Sequence, residues 1–577
     1  MRRCHALAVA VLMVFFSAVC VSAGPVVYAD QGKKWTDDRR LGFYSQDQGA
    51  RIMPISWFNA LKQGNGDPFV GNSLQRYGYL ANDKNPTKGL PVGFTTNDYG
   101  GETAVGMTCA ACHTRQITVD GTAYRLDGGP AIVDFQGFLA DLDQSVLNVL
   151  ASSKAFDDFA DSVLGSGTSE TDKKELKIAL DVWSLRFHTL IERSLPSDGW
   201  GPGRLDAVSM IFNRLAGLDI GKPPSYLIPD NIDIADAPTR YPFLWNASRQ
   251  DFTQWPGFAA NGDDLLALAR NLGEVYGVFG EFHPTKQSGI LKLDRDYISN
   301  NSANFSGLHD LEDYIKKIGP PKWPWALDTA KAKLGKAIYN RSTEEGGCTD
   351  CHGIRKGAFR SIFHKTWKTT IVDTGTDTRE CGVLARTVDT GILSGASIPL
   401  TGKTLKPTDT AFNTLTVSVL GAIIQNALPI TAKENAAVRS PDDLPSQMQH
   451  LSLAFNPIPL DEGLKRTASP EAQGTCKYEG RVLQGIWATA PYLHNGSVKS
   501  LADLLKPAAE RAASFKLGPN YDIEEVGLAA EQTMFDYTLK TTDCSAPNSG
   551  NSRCGHEFGT SLSATEKDQL LEYLKSL

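Results

Sequence analysis

The sequence has little of what would mark a membrane protein, a nucleic-acid binder or a zinc protein. Beyond Ala23 no run is long and apolar enough to span a bilayer, so the chain reads as not integral to a membrane. Basic residues are the minority, 58 Lys and Arg against 65 Asp and Glu, for a net charge of −7; no nucleic-acid partner is expected from that balance. Low-complexity tracts are absent. Sustained strand alternation is almost absent too, and the reading is mainly α. Cysteine is sparse, 10 in 577 residues, and neither C-x-x-C pair has another nearby to complete a tetrahedral zinc site.

What the chain does have is one five-residue pattern, twice: Cys109-Ala110-Ala111-Cys112-His113 and Cys348-Thr349-Asp350-Cys351-His352. C-x-x-C-H is the attachment signature of c-type haem. Its spacing follows from the chemistry. Two thiols add across the haem vinyl groups, and the adjacent histidine swings under the iron as proximal ligand. Two covalent haem c groups are expected, held by Cys109, Cys112 and His113 and by Cys348, Cys351 and His352. A bound calcium ion stays open, with no residue pattern in its support.

The N-terminus agrees with an exported protein. Arg2 and Arg3 precede an apolar run from Ala6 to Val21 that ends in Val21-Ser22-Ala23, with a second small-residue site at Val27-Tyr28-Ala29. Residues 1–29 read as a secretory signal peptide, an uncleaved anchor being the alternative. The expected location is periplasmic or secreted, where haem is attached to such motifs. Cys4 and Cys20 leave with the signal, and four cysteines remain outside the motifs. They admit three pairings in an oxidising compartment. The short Asn/Ser/Gly-rich loop favours Cys544–Cys554, which leaves Cys381–Cys476; spacing alone does not fix connectivity.

A mature chain of this length exceeds one core and predicts at least two domains. Three prolines within Ile318-Gly319-Pro320-Pro321-Lys322-Trp323-Pro324-Trp325 set the boundary, giving residues 30–317 and 318–577. Asp328 to Asn340 predicts a helix with Leu327, Leu334 and Ile338 on one face. A Gly-rich loop then leads to Cys348, an order that resembles the opening of a class I cytochrome c. Ser563-Ala564-Thr565-Glu566 is a capping box, followed by Leu570, Leu571, Leu574 and Leu577 at helical spacing. Further helices are predicted over Val133 to Leu164, Asp172 to Leu195 and Asp263 to Phe279. No repeat stands out beyond the two motifs. The expected fold is mainly α, two cytochrome c-like haem domains with long connecting loops.

With Ala488-Thr489-Ala490-Pro491-Tyr492-Leu493-His494-Asn495-Gly496-Ser497 added to the two motifs, the chain resembles the bacterial di-haem cytochrome c peroxidase superfamily. Cys112 to Phe138, Tyr241-Pro242-Phe243-Leu244-Trp245 and Gly485-Ile486-Trp487 look closest to its rubber-oxygenase-like branch. The resemblance implies a division of labour. The N-terminal haem, on His113, does the chemistry at an exchangeable distal site; the C-terminal haem, on His352, is six-coordinate and relays electrons. It implies a distal histidine on the relay haem, His556 by its place before the last helix, with His494 and Met534 as the alternatives. It also implies a tryptophan between the haems, for which Trp245 is the candidate. His188, His283, His309, His364 and His450 stand alone, without ligand spacing.

One departure matters. Peroxidases of this kind carry W-D-G-R followed closely by a glutamate that moves a proton between the peroxide oxygens. The nearest segment here is Gln254-Trp255-Pro256-Gly257-Phe258-Ala259-Ala260, and the first carboxylates after it are Asp263, Asp264 and Glu274. A more apolar distal side suits O₂ and an apolar organic substrate. The expected function is an exported haem-dependent oxidoreductase activating peroxide or O₂, supplied by a small redox protein or other electron donor. A non-catalytic di-haem electron-transfer protein is the alternative.

Overall fold

The computed structural model describes residues 26–287, 294–361, 364–398, 403–427 and 476–577. The expected signal segment lies almost wholly outside them, as does His450.

Helices form where caps and apolar faces coincide. Val133 to Leu164 is broken into Phe135–Leu150 and Ser153–Leu164, because Ser152 turns extended and caps the second helix through the Ala155 N–H. Glu170–Ser194 and Asp264–Gly277 follow, capped by Ser169 and Asp263. No described helix is long and apolar enough to cross a membrane.

Helix makes up 39% and strand 18%. The strands form ten small sheets among the described residues, none wider than three strands. The chain is therefore not the mainly α protein with two cytochrome c-like domains expected from the sequence. Its strands escape alternation because their faces do not split into inside and outside. In Glu102–Met107 the first two residues are exposed and the last four buried on both faces. Others are only two residues long.

The sheets frame the first motif. Hairpin Phe94–Tyr99/Glu102–Met107 leads into the short helix Cys109–Cys112, and hairpin Thr114–Val119/Thr122–Asp127 leads out. The second hairpin is tied to helix Asp37–Ser45 by the buried Asp127. Its carboxylate accepts from the Trp35 indole N–H, Arg40 and the Tyr44 hydroxyl.

The second motif is framed by helices. Thr329–Tyr339 precedes it, and Ala564–Ser576, with the expected Ser563–Glu566 capping box, crosses that helix. The crossing is close at Gly335, where a Cβ would meet the Gln569 carbonyl oxygen at 1.9 Å. The buried face is therefore Ala332, Gly335, Ile338 and Tyr339. Leu334 points outward, because the close approach is made by small residues rather than by leucine.

One core cluster draws on both sides of the Pro-rich segment. It packs Phe43, Ile117 and Trp245 with Trp487, Leu570 and Leu574. The segment itself is pinned by tryptophans: Trp323 and Trp325 sit edge-on to Trp487, whose indole N–H donates to the Pro321 carbonyl at 3.0 Å. The disulfides are Cys381–Cys476 and Cys544–Cys554, with Cα atoms 5.9 and 5.1 Å apart.

Candidate haem sites

Only the four motif cysteines, Cys109, Cys112, Cys348 and Cys351, stay unpaired among those in the described residues. Burial raises their thiols, Cys112 to about 12 and Cys348 to about 11. Each motif folds as a single helical turn, and at the second motif both cysteines and the histidine line one cavity.

The second site is the more complete. Its cavity, about 1270 Å³ counted out to its mouth, is walled by Cys348, Cys351, His352, Arg481, His494 and His556 among others. His352 Nδ1 lies 2.6 Å from the Arg481 carbonyl. That bond fixes the proton on Nδ1 and leaves Nε2 bare, the arrangement that metal-ligating histidines adopt. The ring of His556 faces His352 with centroids 6.2 Å apart. Two imidazoles bound trans to one metal at about 2 Å each stand about 6 Å apart in this measure. Burial, with His352 and Arg511 adding to it, pushes His556 down to about 3; burial also lowers His352. Both rings are thus neutral, as ligands must be. His556 Nδ1 is buried without a partner, and the residue is held in a left-handed turn at φ 50°.

His494 lines the same cavity but stacks on Tyr478, centroids 3.7 Å apart and planes 15° from parallel. Burial and then Arg240 push it down to about 3. Met534 is surface-exposed. Among the described residues no group of three or more His, Cys, Asp or Glu gathers as a metal site of its own. The residues present fit a haem, which His352 and His556 would hold from two sides of the cavity.

The first site repeats the anchoring geometry. His113 Nδ1 lies 2.9 Å from the Pro242 carbonyl, again a carbonyl 129 residues beyond the histidine. Burial lowers His113 to about 4, against the Pro242 hydrogen bond. Around it stands a polar set, of which the sequence put only Gln254 and Glu274 in view. Glu274 lies within electrostatic reach of both Cys109 and Cys112. It accepts from Gln254 Nε2 at 3.0 Å, and Arg270 is 3.9 Å away. Burial raises its carboxyl, while Arg270 and Gln254 pull the other way. Arg270 is itself paired with the buried Glu312 at 2.8 Å.

The other two carboxylates are committed elsewhere. Asp263 caps its helix, and Asp264 pairs with Lys316. Trp255, expected near the first motif, instead lines the second cavity under Arg240, with its indole N–H on the Arg240 carbonyl.

Trp245 is fully buried. It stacks on Phe243 at 4.9 Å and donates its indole N–H to the Gln484 carbonyl at 2.7 Å. Of the lone histidines, His188 pairs with Asp143, His283 stacks on Tyr226, and His309 and His364 lie at the surface.

Comparison with known proteins bears on this site. Residues 477–516 match the family model described as RoxA-like, cytochrome c-like. That stretch contains Arg481 and the 488–497 segment, so it builds much of one wall of the second cavity. The match points to a haem-containing oxidoreductase and supports a rubber-oxygenase-like haem family. It covers this one region and does not carry a second cytochrome c-like domain. The chain is also 28% identical to the uncharacterized protein y4iJ of Sinorhizobium fredii over 606 residues, spanning 94% of this chain and 92% of the relative. A second relative, the uncharacterized protein y4iM of the same organism, is 22% identical, over 62% of this chain and 63% of its own length.

Proposed function

We propose that this chain is an exported di-haem c-type oxidoreductase that activates peroxide or O₂ at the first motif and relays electrons through the second. The observation that carries the reading is the contrast between the facing His352–His556 pair and the carboxylate cluster beside Cys109. His352 and His556 would hold a haem between them, and a haem so held would store and pass an electron. A raised carboxyl suits moving a proton near a reacting oxygen.

Cys109, Cys112 and His113 hold one haem; Cys348, Cys351, His352 and His556 hold the other, and His494 lines the second site without ligating. Bound haem supplies the redox chemistry; the chain orients it and manages protons. The Pro242 and Arg481 carbonyls fix which nitrogen each proximal histidine presents. Glu274, its carboxyl raised from the usual carboxylate value, exchanges a proton at its carboxyl oxygen, and Gln254 holds that carboxyl in place. A small redox protein or other donor supplies electrons, and an apolar organic molecule is the further substrate class.

The test is turnover of a reduced donor by purified protein given hydrogen peroxide or air. The reading expects continuing donor oxidation with one of them, abolished in the Cys109→Ala/Cys112→Ala double variant. Stoichiometric oxidation that stops after the stored electrons are spent, with either oxidant, would favour a pure electron-transfer protein.

A further inference from the structure

The two proximal histidines are joined by a short series of contacts that bypasses Trp245. His113 Nδ1 meets the Pro242 carbonyl at 2.9 Å. The next residue, Phe243, lies beneath the Arg481 guanidinium, whose central carbon is 3.9 Å from the ring centroid. The carbonyl of that same Arg481 meets His352 Nδ1 at 2.6 Å. One residue therefore serves both sites. Its backbone orients His352, and its side chain covers the residue following the carbonyl that orients His113.

Arg481 is an unusual choice for filling space. It is buried, its Nε has no hydrogen-bond partner, and its nearest carboxylate, Glu479, stands 3.8 Å away. A guanidinium this loosely paired is unfavourable in an interior, and the aromatic face of Phe243 is its closest compensation. Its charge also reaches across: it acts with burial to hold the His113 imidazole neutral. Trp245 stacks on Phe243 but sends its indole N–H to the Gln484 carbonyl, so it flanks the contact and does not interrupt it.

We propose that the Phe243–Arg481 contact is the electron bridge between the two haem sites, with Arg481 the positioning residue that couples them. The proposal rests on the two-haem reading above. One electron leaves the second site and arrives at the first. No bond forms or breaks, and the external electron donor refills the second site.

The test uses the full-length, haem-loaded protein, half-reduced under carbon monoxide. Electron redistribution is followed after a light flash releases the gas from the first site, and midpoint potentials are titrated alongside. Arg481→Lys keeps the charge and loses the planar stack; it should slow exchange several-fold with potentials near wild type. Arg481→Gln should slow exchange and also lower the first site's potential, because a nearby positive charge favours the reduced iron. Phe243→Leu should slow exchange without that shift. Trp245→Phe should slow it less than any of these. The bridge is overturned if Trp245→Phe has the largest effect, or if exchange in all four variants matches wild type. A wild-type protein with one haem, or without a low-spin haem spectrum, would instead contradict the two-haem reading.

Discussion

Around Cys348 the motif is entered from a helix; around Cys109 it is entered from one β-hairpin and left through another. The scaffolds differ, yet the anchoring is the same. In each region a histidine gives Nδ1 to a carbonyl 129 residues downstream. In each, two helices cross over a glycine set against a tyrosine: Gly42 beneath Tyr314, and Gly335 beneath Tyr573. What separates the regions is the remaining equipment. The second offers His556 facing His352; the first offers Glu274, Arg270 and Gln254. On the proposed two-haem reading, the group is held twice in one way, and its use is set by a few residues beyond the motif.

The largest expected effect tests whether both regions hold haem. The Cys109→Ala/Cys112→Ala and Cys348→Ala/Cys351→Ala proteins should each retain one acid-acetone-stable haem where wild type has two. A stoichiometry unchanged by either pair would remove that region from the comparison.

Next comes Glu274. Replacing a proton-moving carboxyl should lower turnover by about 10²-fold or more, so Glu274→Gln should do so while leaving both haems in place. Its pH profile gives the sign. Burial raises the Glu274 carboxyl, so a step needing its ionised form fails as pH falls through a value above the usual carboxylate range. Steady-state rates from acid to neutral pH should show that limb in wild type and lose it in Glu274→Gln.

His556→Ala should convert one low-spin signal to high-spin by electron paramagnetic resonance and leave the other haem unchanged. His494→Ala should do neither, since that ring is engaged with Tyr478. The reverse result would reassign the axial ligand.

The smallest effect compares the helix crossings. At Gly335 an added methyl meets a backbone carbonyl oxygen at 1.9 Å; at Gly42 it meets the end of a tyrosine side chain at 2.5 Å. Overpacking of this kind costs about 1–3 kcal/mol, and Gly335→Ala should lie toward the upper end. Gly42→Ala should cost less, because a side chain can yield where backbone cannot. Thermal denaturation of both variants checks the order.

Much of the second region was legible in the sequence. A capping box, a helix of fixed length and a motif with set spacing all rest on local chemistry, and each lies where it was read. The hairpins around the first motif were missed by a search for alternation, but a local signal was there. Gly100-Gly101 and Asp120-Gly121 take positive φ at the hairpin tips, at 62° and 83° and at 48° and 77°. Both are two-residue turns of the kind that such dipeptides announce. The Cys381–Cys476 and Cys544–Cys554 pairs are the ones the short loop favoured, among three that spacing left open. Glu274 was one of three carboxylates in view, and only packing shows that Asp263 and Asp264 are committed to a cap and an ion pair. Arg481 had no sequence signal, and Pro242 was in view only within the Tyr241–Trp245 segment, because a carbonyl that orients a distant histidine leaves no mark on residue type.

The central claim is that the two regions share an anchor and divide the work. Cyanide binding to the oxidised protein tests this most directly, read as ligands bound per chain and the rate at each iron. The account predicts rapid binding at one iron, lost in His113→Ala and kept in His352→Ala, with the other iron slow or silent. Equal binding at both irons, or at neither, would contradict it.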